Sequence, residues 1–220
     1  MEMNFEQARF NMVEQQIRTW DVLDSRVLDV LFTTPRDHFV PEKYKNLAYS
    51  DLAIPLAHEQ MMMHPKLEAH LLQALALNKT ENVLEIGTGS GCLTAFLATM
   101  AKHVYSIDIF PDFLPIAATR LKNQGITNFT LEEGDGSHGW HEHGPFDAIA
   151  ITGSVPALTD GFKEALNVGG RLFAIVGEEE ALKEAMIMTR LSKTEWTQKS
   201  LLETEIAPLI NATLPQSFVF

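Results

Sequence analysis

The sequence is poor in cysteine, in long apolar runs and in positive charge. Its 220 residues include one cysteine, Cys92, which excludes an intrachain disulfide and a cysteine-rich zinc site. No apolar stretch approaches the roughly 20 residues needed to span a bilayer. The first residues are acidic where a secretory signal peptide needs basic ones. We therefore expect a cytoplasmic protein with no membrane partner.

The shortage of positive charge excludes a further class of partner. Lys and Arg total 17 against 29 Asp and Glu, for a formal net charge of −12. Binding to a nucleic-acid backbone needs clustered cations, so we expect no nucleic-acid partner. The charge is unevenly distributed along the chain: residues 1–80 carry 8 basic and 11 acidic residues, whereas residues 81–220 carry 9 basic and 18 acidic residues.

We expect the protein to be a monomer or a weak dimer.

Two regions differ in their patterning. Residues 1–80 have helical apolar spacing, interrupted by prolines, and predict an N-terminal helical cap with a long loop. From residue 82, short apolar runs alternate with amphipathic segments, which is typical of a parallel sheet covered by helices on both faces. The predicted strands are Asn82–Ile86, His103–Ile109, Phe129–Glu132, Phe146–Thr152 and Arg171–Val176, and the predicted helices between them are Leu93–Met100, Phe113–Asn123 and Thr159–Leu166.

The last forty residues change pattern again. Ala185–Leu191, Trp196–Ile206 and Ser217–Phe220 have the composition of strands, and a late antiparallel hairpin would accommodate them. The prediction is therefore an α/β protein with a Rossmann-like, mostly parallel seven-stranded sheet. Residues 1–80 form its cap and residues 81–220 its core, within one compact domain.

A glycine-rich turn follows the first predicted strand. The segment Val83-Leu84-Glu85-Ile86-Gly87-Thr88-Gly89-Ser90-Gly91 has the spacing G-x-G-x-G, whereas a dinucleotide fingerprint is G-x-G-x-x-G. Such a turn brings backbone amides close to a ligand. The carboxylate of Glu85 would repel a pyrophosphate but would suit a cationic amino group. The turn therefore favours S-adenosylmethionine over NAD.

Two further carboxylates lie at or just after the carboxyl ends of the next two predicted strands. Asp108 comes 21 residues after Gly87, where a carboxylate can accept hydrogen bonds from ribose hydroxyls. Asp135 lies between Gly134 and Gly136 and could accept from an adenine amino group. The alternative for Asp135 is a turn in which its side chain caps the backbone. Three carboxylates at successive strand ends favour the adenosyl ligand.

Taken together, these motifs resemble the protein-L-isoaspartate O-methyltransferase family of class I S-adenosylmethionine-dependent methyltransferases. The similarity extends to Arg26-Val27-Leu28, Pro35-Arg36-Asp37-His38-Phe39-Val40, Ala48-Tyr49-Ser50-Asp51 with Ile54-Pro55, Gly134-Asp135-Gly136-Ser137 with Gly139-Trp140, Pro145-Phe146-Asp147-Ala148-Ile149 and Gly169-Gly170-Arg171-Leu172. The resemblance implies methyl transfer to the free carboxylate of an isoaspartyl residue in damaged protein. It also implies a cofactor pocket lined by Glu85, Gly87, Gly89, Asp108, Asp135 and Gly136. We expect Thr88, Gly91, Ile109 and Thr152 to bind the cofactor as well.

The chain departs from this family in the substrate loop. The family's pattern is Gln, Thr, Ile, Ser, any residue, Pro, and this chain has Gln60-Met61-Met62-Met63-His64-Pro65. The family's serine therefore falls on Met63 and its threonine on Met61. Three interpretations remain open: the methionines are core packing, the substrate has changed, or isoaspartate activity is retained.

No side chain is assigned as a catalytic group. A carboxylate acceptor is already ionised at pH 7 and needs no general base. If the acceptor is instead a small, partly apolar hydroxylated molecule, His58 or His64 could act as the base. A third hypothesis is a non-catalytic S-adenosylmethionine-binding relative. The histidines His138, His141 and His143 lie in a glycine-flanked loop, and we predict no metal site there.

Overall fold

A seven-stranded sheet forms the centre of the computed structural model, which describes residues 4–178 and 182–212. In chain order its strands are β3 (Asn82–Ile86), β4 (His103–Asp108), β5 (Phe129–Glu133), β6 (Phe146–Val155), β7 (Leu166–Val176), β8 (Lys183–Arg190) and β9 (Trp196–Thr204). Their spatial order is β5-β4-β3-β6-β7-β8-β9. The first five are mutually parallel, whereas β8 is antiparallel to both β7 and β9. The mostly parallel sheet and the late hairpin are thus confirmed.

Helices precede the sheet and connect its strands. The first helical stretch comprises α1 (Phe5–Asn11), a π-helical turn (Met12–Ile17) and a 3₁₀ turn (Arg18–Trp20). Short 3₁₀ turns also occupy Arg36–His38 and Glu42–Leu47. None of the helices in the described part of the chain has the length and hydropathy needed to cross a membrane. The remaining helices are α2 (Ser25–Thr33), α3 (Pro65–Leu75), α4 (Cys92–Met100), α5 (Phe113–Asn123) and α6 (Asp160–Glu164).

The structure corrects the sequence prediction in two places. The helix predicted over Thr159–Leu166 is shorter, because Leu166 begins β7 and pairs with Phe146. A short antiparallel hairpin, β1 (Ile54–Pro55) with β2 (Met61–Met62), lies where only loop and turns were expected. The predicted strand Ser217–Phe220 lies outside the described residues.

The sheet divides the buried apolar side chains between two cores. Successive side chains on a strand point to opposite faces, and accordingly Val83 joins one core while Leu84 and Ile86 join the other. The first core contains side chains of α2, α3 and α4, so residues on both sides of position 80 contribute to it. The second core includes Phe162 of α6. Both faces of the sheet are therefore covered, as predicted.

Arg171 on β7 connects α3 to the sheet. Its guanidinium donates to the Leu75 carbonyl through Nε at 2.8 Å and to Glu81 Oε1 through Nη1 at 2.5 Å. Helix α3 ends there, since Ala76 adopts a left-handed conformation with φ 45°. Carbonyls at a helix C-terminus lack intrahelical partners and attract cations. Arg171 therefore fixes the end of α3 against the strand beside it.

Replacing Arg171 should destabilise the whole fold. We expect Arg171→Met to lower the free energy of unfolding by about 1.5–3 kcal/mol, the range for hydrogen bonds to charged groups. Urea denaturation measures this change. The matched control is Lys199→Met, which removes a cation from an exposed position on β9. Equal stability of the two variants would contradict the role of Arg171.

Candidate functional site

A cavity opens at the carboxyl ends of the parallel strands, with about 950 Å³ of empty space when its open mouth is included. Ligands of open α/β sheets bind at this edge. The β1–β2 hairpin and residues 206–210 form its other walls. The site residues predicted from the sequence that do line it are Gln60, Met61, Met62, Met63, Gly87, Thr88, Gly89, Asp108, Ile109, Asp135, Gly136 and Thr152. The predicted residues His58, His64, Glu85 and Gly91 do not appear in its wall.

The glycine-rich turn after β3 is held by its neighbours on the sheet. Gly87 has φ 100°, a conformation that side-chain-bearing residues rarely adopt. A Cβ atom there would meet Thr152 Oγ1 at 2.1 Å. That hydroxyl donates to the Ile86 carbonyl at 2.8 Å, so Thr152 closes the turn from β6. The turn therefore requires glycine at position 87 and brings its backbone to the cavity wall.

Asp108 organises the same turn from the end of β4. Its Oδ2 accepts from the Gly89 amide at 2.8 Å and its Oδ1 accepts from the Phe110 amide at 2.9 Å. Burial raises the pKa of this carboxyl, and the backbone hydrogen bonds oppose that shift. Each carboxylate oxygen has a second lone pair. Asp108 can therefore hold the turn and still accept a hydrogen bond from a ligand.

Glu85 lies behind the cavity wall. Glu85 lies two residues after Val83 on β3, so the two side chains point to the same face of the sheet. Helix α4 packs on that face. Its Oε2 accepts from Thr94 Oγ1 and from Ser106 Oγ, each at 2.5 Å. Burial raises the pKa of this carboxyl to about 8, and those two hydroxyls partly oppose the shift. The predicted contact between Glu85 and a cationic amino group remains a prediction.

Asp135 caps its own turn and also lies at the cavity wall, so its predicted contact with an adenine amino group stays a prediction. Its Oδ1 accepts from the Ser137 amide at 2.9 Å, which is the turn-capping bond, and the residue also lines the cavity. Its Oδ2 accepts from Asn211 Nδ2 at 2.8 Å. Burial acts to raise the pKa of Asp135, but these hydrogen bonds lower it overall. Asp135 is therefore a charged acceptor at the cavity wall.

The β1–β2 hairpin covers the glycine-rich turn. A Cβ atom on Gly89 would lie 3.3 Å from Leu56 Cδ1, so the hairpin packs closely over the turn. His58 and Glu59 at its tip both have positive φ, 54° and 58°. Met62 and Met63 are buried, whereas Met61 is 43% exposed. The methionines therefore belong partly to the core and partly to the cavity wall.

A buried ion pair lies beneath this hairpin. The Arg36 guanidinium contacts the Glu68 carboxylate of α3 and donates through Nη2 to the Met63 carbonyl at 2.7 Å. Its Nη1 also lies 3.6 Å from Cys92 Sγ on α4. Burial raises the pKa of the Glu68 carboxyl, while Arg36 opposes that shift by favouring the carboxylate. Arg36 thus joins the hairpin, α3 and α4.

His58 and His64 are both engaged away from the cavity. The His58 Nε2 atom is 2.9 Å from both carboxylate oxygens of Asp112, and its ring stacks on Phe110 at 4.2 Å. His64 Nδ1 lies 3.1 Å from the Asp51 carbonyl. The base hypothesis therefore gains no support from their positions. His58 instead attaches the hairpin tip to the segment that follows β4.

The loop histidines are engaged with groups around them. His143 Nε2 is 2.7 Å from Glu132 Oε1, and its ring stacks on Tyr105 at 4.6 Å. Potential metal-ligand atoms of Glu132, Glu142 and His143 lie within 4.8 Å of one another. None of these three residues lines the cavity. His138 Nδ1 is 2.8 Å from Ser137 Oγ. Hydrogen bonding and stacking thus account for His143.

Comparison with known proteins connects this geometry to a family. The sequence model of the protein-L-isoaspartate(D-aspartate) O-methyltransferase family matches residues 7–213. The chain belongs to the protein-L-isoaspartate O-methyltransferase family. Two relatives named protein-L-isoaspartate O-methyltransferase come from Rhodopseudomonas palustris (36% identical over 91% of this chain and 92% of the relative) and Marinobacter nauticus (38% over 90% and 91%).

A solved structure supports the fold. It is a Plasmodium falciparum protein assigned as a protein-L-isoaspartate O-methyltransferase, in complex with S-adenosyl-L-homocysteine. It superposes with a TM-score of 0.79 at 20% identity and covers 94% of this chain and 99% of its own. The predicted class I methyltransferase fold, the enzyme class and its S-adenosylmethionine cofactor are confirmed. The hydroxylated-acceptor and non-catalytic alternatives are not favoured by these relatives.

Several residues of this methyltransferase site were missed by the sequence analysis. Residues 206–210 form one wall because Ser154 of β6 exchanges backbone hydrogen bonds with this segment, to Ala207 and from Leu209. Glu68 reaches the cavity from α3, and Phe110 and Phe113 flank the carboxyl end of β4. Phe110, which directly follows Ile109, and Phe113 carried a usable signal, because they are apolar residues close to a predicted ligand site.

The attachment of the hairpin tip should control how long the ligand is held. We expect His58→Ala to raise the dissociation rate of S-adenosylhomocysteine by about 3- to 10-fold, because an aromatic stack contributes about 0.5–1.5 kcal/mol. Stopped-flow fluorescence measures this rate. His141→Ala at an exposed position is the matched control. An unchanged rate in His58→Ala would show that the tip contact does not retain the ligand.

Proposed function

We propose that this protein transfers a methyl group from S-adenosylmethionine to the free carboxylate of an L-isoaspartyl residue in a protein or peptide. One observation carries the proposal: a single cavity joins the carboxylate-bearing strand ends to the β1–β2 hairpin. Family membership supplies the reaction class. The two walls supply separate places for a cofactor and for an acceptor.

The strand-end wall fits an adenosyl group. Asp108 would accept from the ribose hydroxyls with its remaining lone pairs, and Asp135 would accept from the adenine amino group. The backbone at Gly87, which a Cβ atom would obstruct, would approach the ligand closely. Thr88, Gly89, Gly136 and Ile109 would complete the pocket. Glu85 and Gly91 would support it from behind the wall.

The hairpin wall would orient the acceptor. The bound cofactor supplies an activated methyl group on a positively charged sulfur. Gln60 offers an amide at the cavity wall, and the methionines beside it would exclude water from the bound acceptor. No base is needed, since the acceptor carboxylate is ionised at neutral pH. The residues of this chain therefore contribute alignment of the reacting groups and exclusion of water.

The proposal extends to how the chain is organised and where it acts. Residues 1–80 would shape the acceptor side, and residues 81–220 would hold the cofactor. The protein would act in the cytoplasm as a monomer or weak dimer, without nucleic-acid or membrane partners. The acidic balance of the sequence supports the absence of a nucleic-acid partner.

Methyl transfer to a defined peptide tests the proposed function. Labelled S-adenosylmethionine is incubated with an isoaspartyl peptide, and the same peptide with normal aspartate is the control. We expect label in the isoaspartyl peptide alone, as a base-labile methyl ester. Absence of turnover on isoaspartyl peptides would overturn the proposal.

Asp108 should contribute strongly to cofactor affinity. We expect Asp108→Ala to weaken S-adenosylmethionine binding by about 1–3 kcal/mol through loss of charge-assisted hydrogen bonds. Asp108→Asn should have a smaller effect, because its carbonyl oxygen can still accept a hydrogen bond. Isothermal titration calorimetry measures both affinities. Wild-type affinity in Asp108→Ala would refute the placement of the ribose.

A further inference from the structure

Met61 presents an apolar side chain to the acceptor side of the cavity. It is 43% exposed, while its neighbours Met62 and Met63 are only 5% and 6% exposed. Its backbone is fixed, because Met61 pairs with Pro55 across the hairpin. Core packing therefore accounts for Met62 and Met63 but leaves much of Met61 available to a ligand.

Other apolar side chains line the same cavity. Leu56 follows β1 on the hairpin, and Ile210, which is 38% exposed, belongs to the wall formed by residues 206–210. A methionine side chain is flexible and polarizable, so it adapts to apolar groups of different shape. The cavity therefore has an apolar surface, formed by Met61, Leu56 and Ile210. A carboxylate is too small to cover this surface, which leaves it available to another part of the acceptor.

The charged side chains of the cavity wall are acidic. Among the described residues that line the cavity they are Glu68, Asp108 and Asp135, with no lysine, arginine or histidine. The buried Arg36 already pairs with Glu68, so the uncompensated negative charge of the wall belongs to Asp108 and Asp135. Glu59 and Asp112 add exposed carboxylates at and beside the hairpin tip. A second carboxylate on the acceptor would therefore meet repulsion without a cationic side chain of the cavity wall to offset it.

We propose that Met61 forms a subsite for the side chain next to the isoaspartyl residue, and that this subsite favours an apolar neighbour and disfavours an acidic one. The inference rests on the proposed function and specifies its substrate class. Burial of the neighbouring side chain against Met61 supplies binding energy, while the acidic surroundings penalise a neighbouring Asp or Glu. Met61 thereby selects among isoaspartyl sites.

The test compares three isoaspartyl peptides that differ in the residues flanking the isoaspartyl position: Leu on both sides, Ser on both sides, or Glu on both sides. We expect kcat/KM for the Leu peptide to exceed that for the Ser peptide by about tenfold, the discrimination available to an apolar subsite. The Glu peptide should be the poorest substrate.

Three variants assign the preference to the subsite. Met61→Ser should bring the Leu and Ser peptides to within about twofold of each other, since the apolar contact is lost. Met61→Leu should keep the preference. The control Leu191→Ser, at a position that is 54% exposed after β8 and outside the cavity wall, should behave as the wild type. Because Met61 is partly exposed, we expect its variants to fold. A circular-dichroism melt of each variant verifies this.

The outcomes separate this inference from the proposed function. Equal kcat/KM for the three peptides, or a Leu preference that persists in Met61→Ser, would overturn the subsite while leaving isoaspartate methylation intact. Failure of all three peptides as substrates would overturn the proposed function and the subsite with it.

Discussion

The buried guanidinium of Arg36 is the contact on which the acceptor side of the structure depends. It joins the Glu68 carboxylate, the Met63 carbonyl and the region of Cys92, and so connects the hairpin to α3 and α4. Arg36 and Glu68 are 1% and 2% exposed, and each charge is tolerated there because the other is present. Loss of one partner from a buried pair costs about 3–5 kcal/mol, since the remaining charge is left uncompensated. The position of the cavity wall at Met63 is therefore coupled to the stability of the fold.

The cofactor side is built differently, from backbone held by short-range hydrogen bonds. Asp108 and Thr152, on the two strands that flank β3, fix the glycine-rich turn at its end. The two sides meet where Leu56 lies over Gly89. The cavity is thus made of a hydrogen-bonded strand-end wall, a hairpin wall contributed by the N-terminal region and a further wall at residues 206–210. At the strand-end wall, the negative charges of Asp108 and Asp135 suit the positive charge that the cofactor brings to the proposed reaction, whereas Glu68 is already paired with Arg36.

Local patterns in the sequence predicted the fold and much of the cofactor side. The glycine spacing, Asp108 and Asp135 were found because strand ends and their turns lie within short stretches of sequence. Contacts between distant residues were not predicted: His58 lies 54 residues from Asp112, and Arg36 lies 32 from Glu68. The wall at residues 206–210 depends likewise on pairing with β6. Glu85 was expected at the cavity, but the alternation of β3 turns it toward α4. The sequence alone showed that Met61 and Met63 depart from the family's pattern in the substrate loop. Interpreting that departure required the structure, in which Met61 is exposed and Met63 is buried.

The central claim is that one cavity aligns an adenosyl cofactor at the strand ends with a peptide carboxylate at the hairpin. A crystal structure with S-adenosylhomocysteine and an isoaspartyl peptide tests it most directly. The account predicts the adenosine beside Asp108 and Asp135, and the isoaspartyl carboxylate between the cofactor sulfur and the hairpin, with its neighbouring side chain against Met61. A cofactor bound away from the strand ends, or a peptide that does not contact the hairpin, would contradict it.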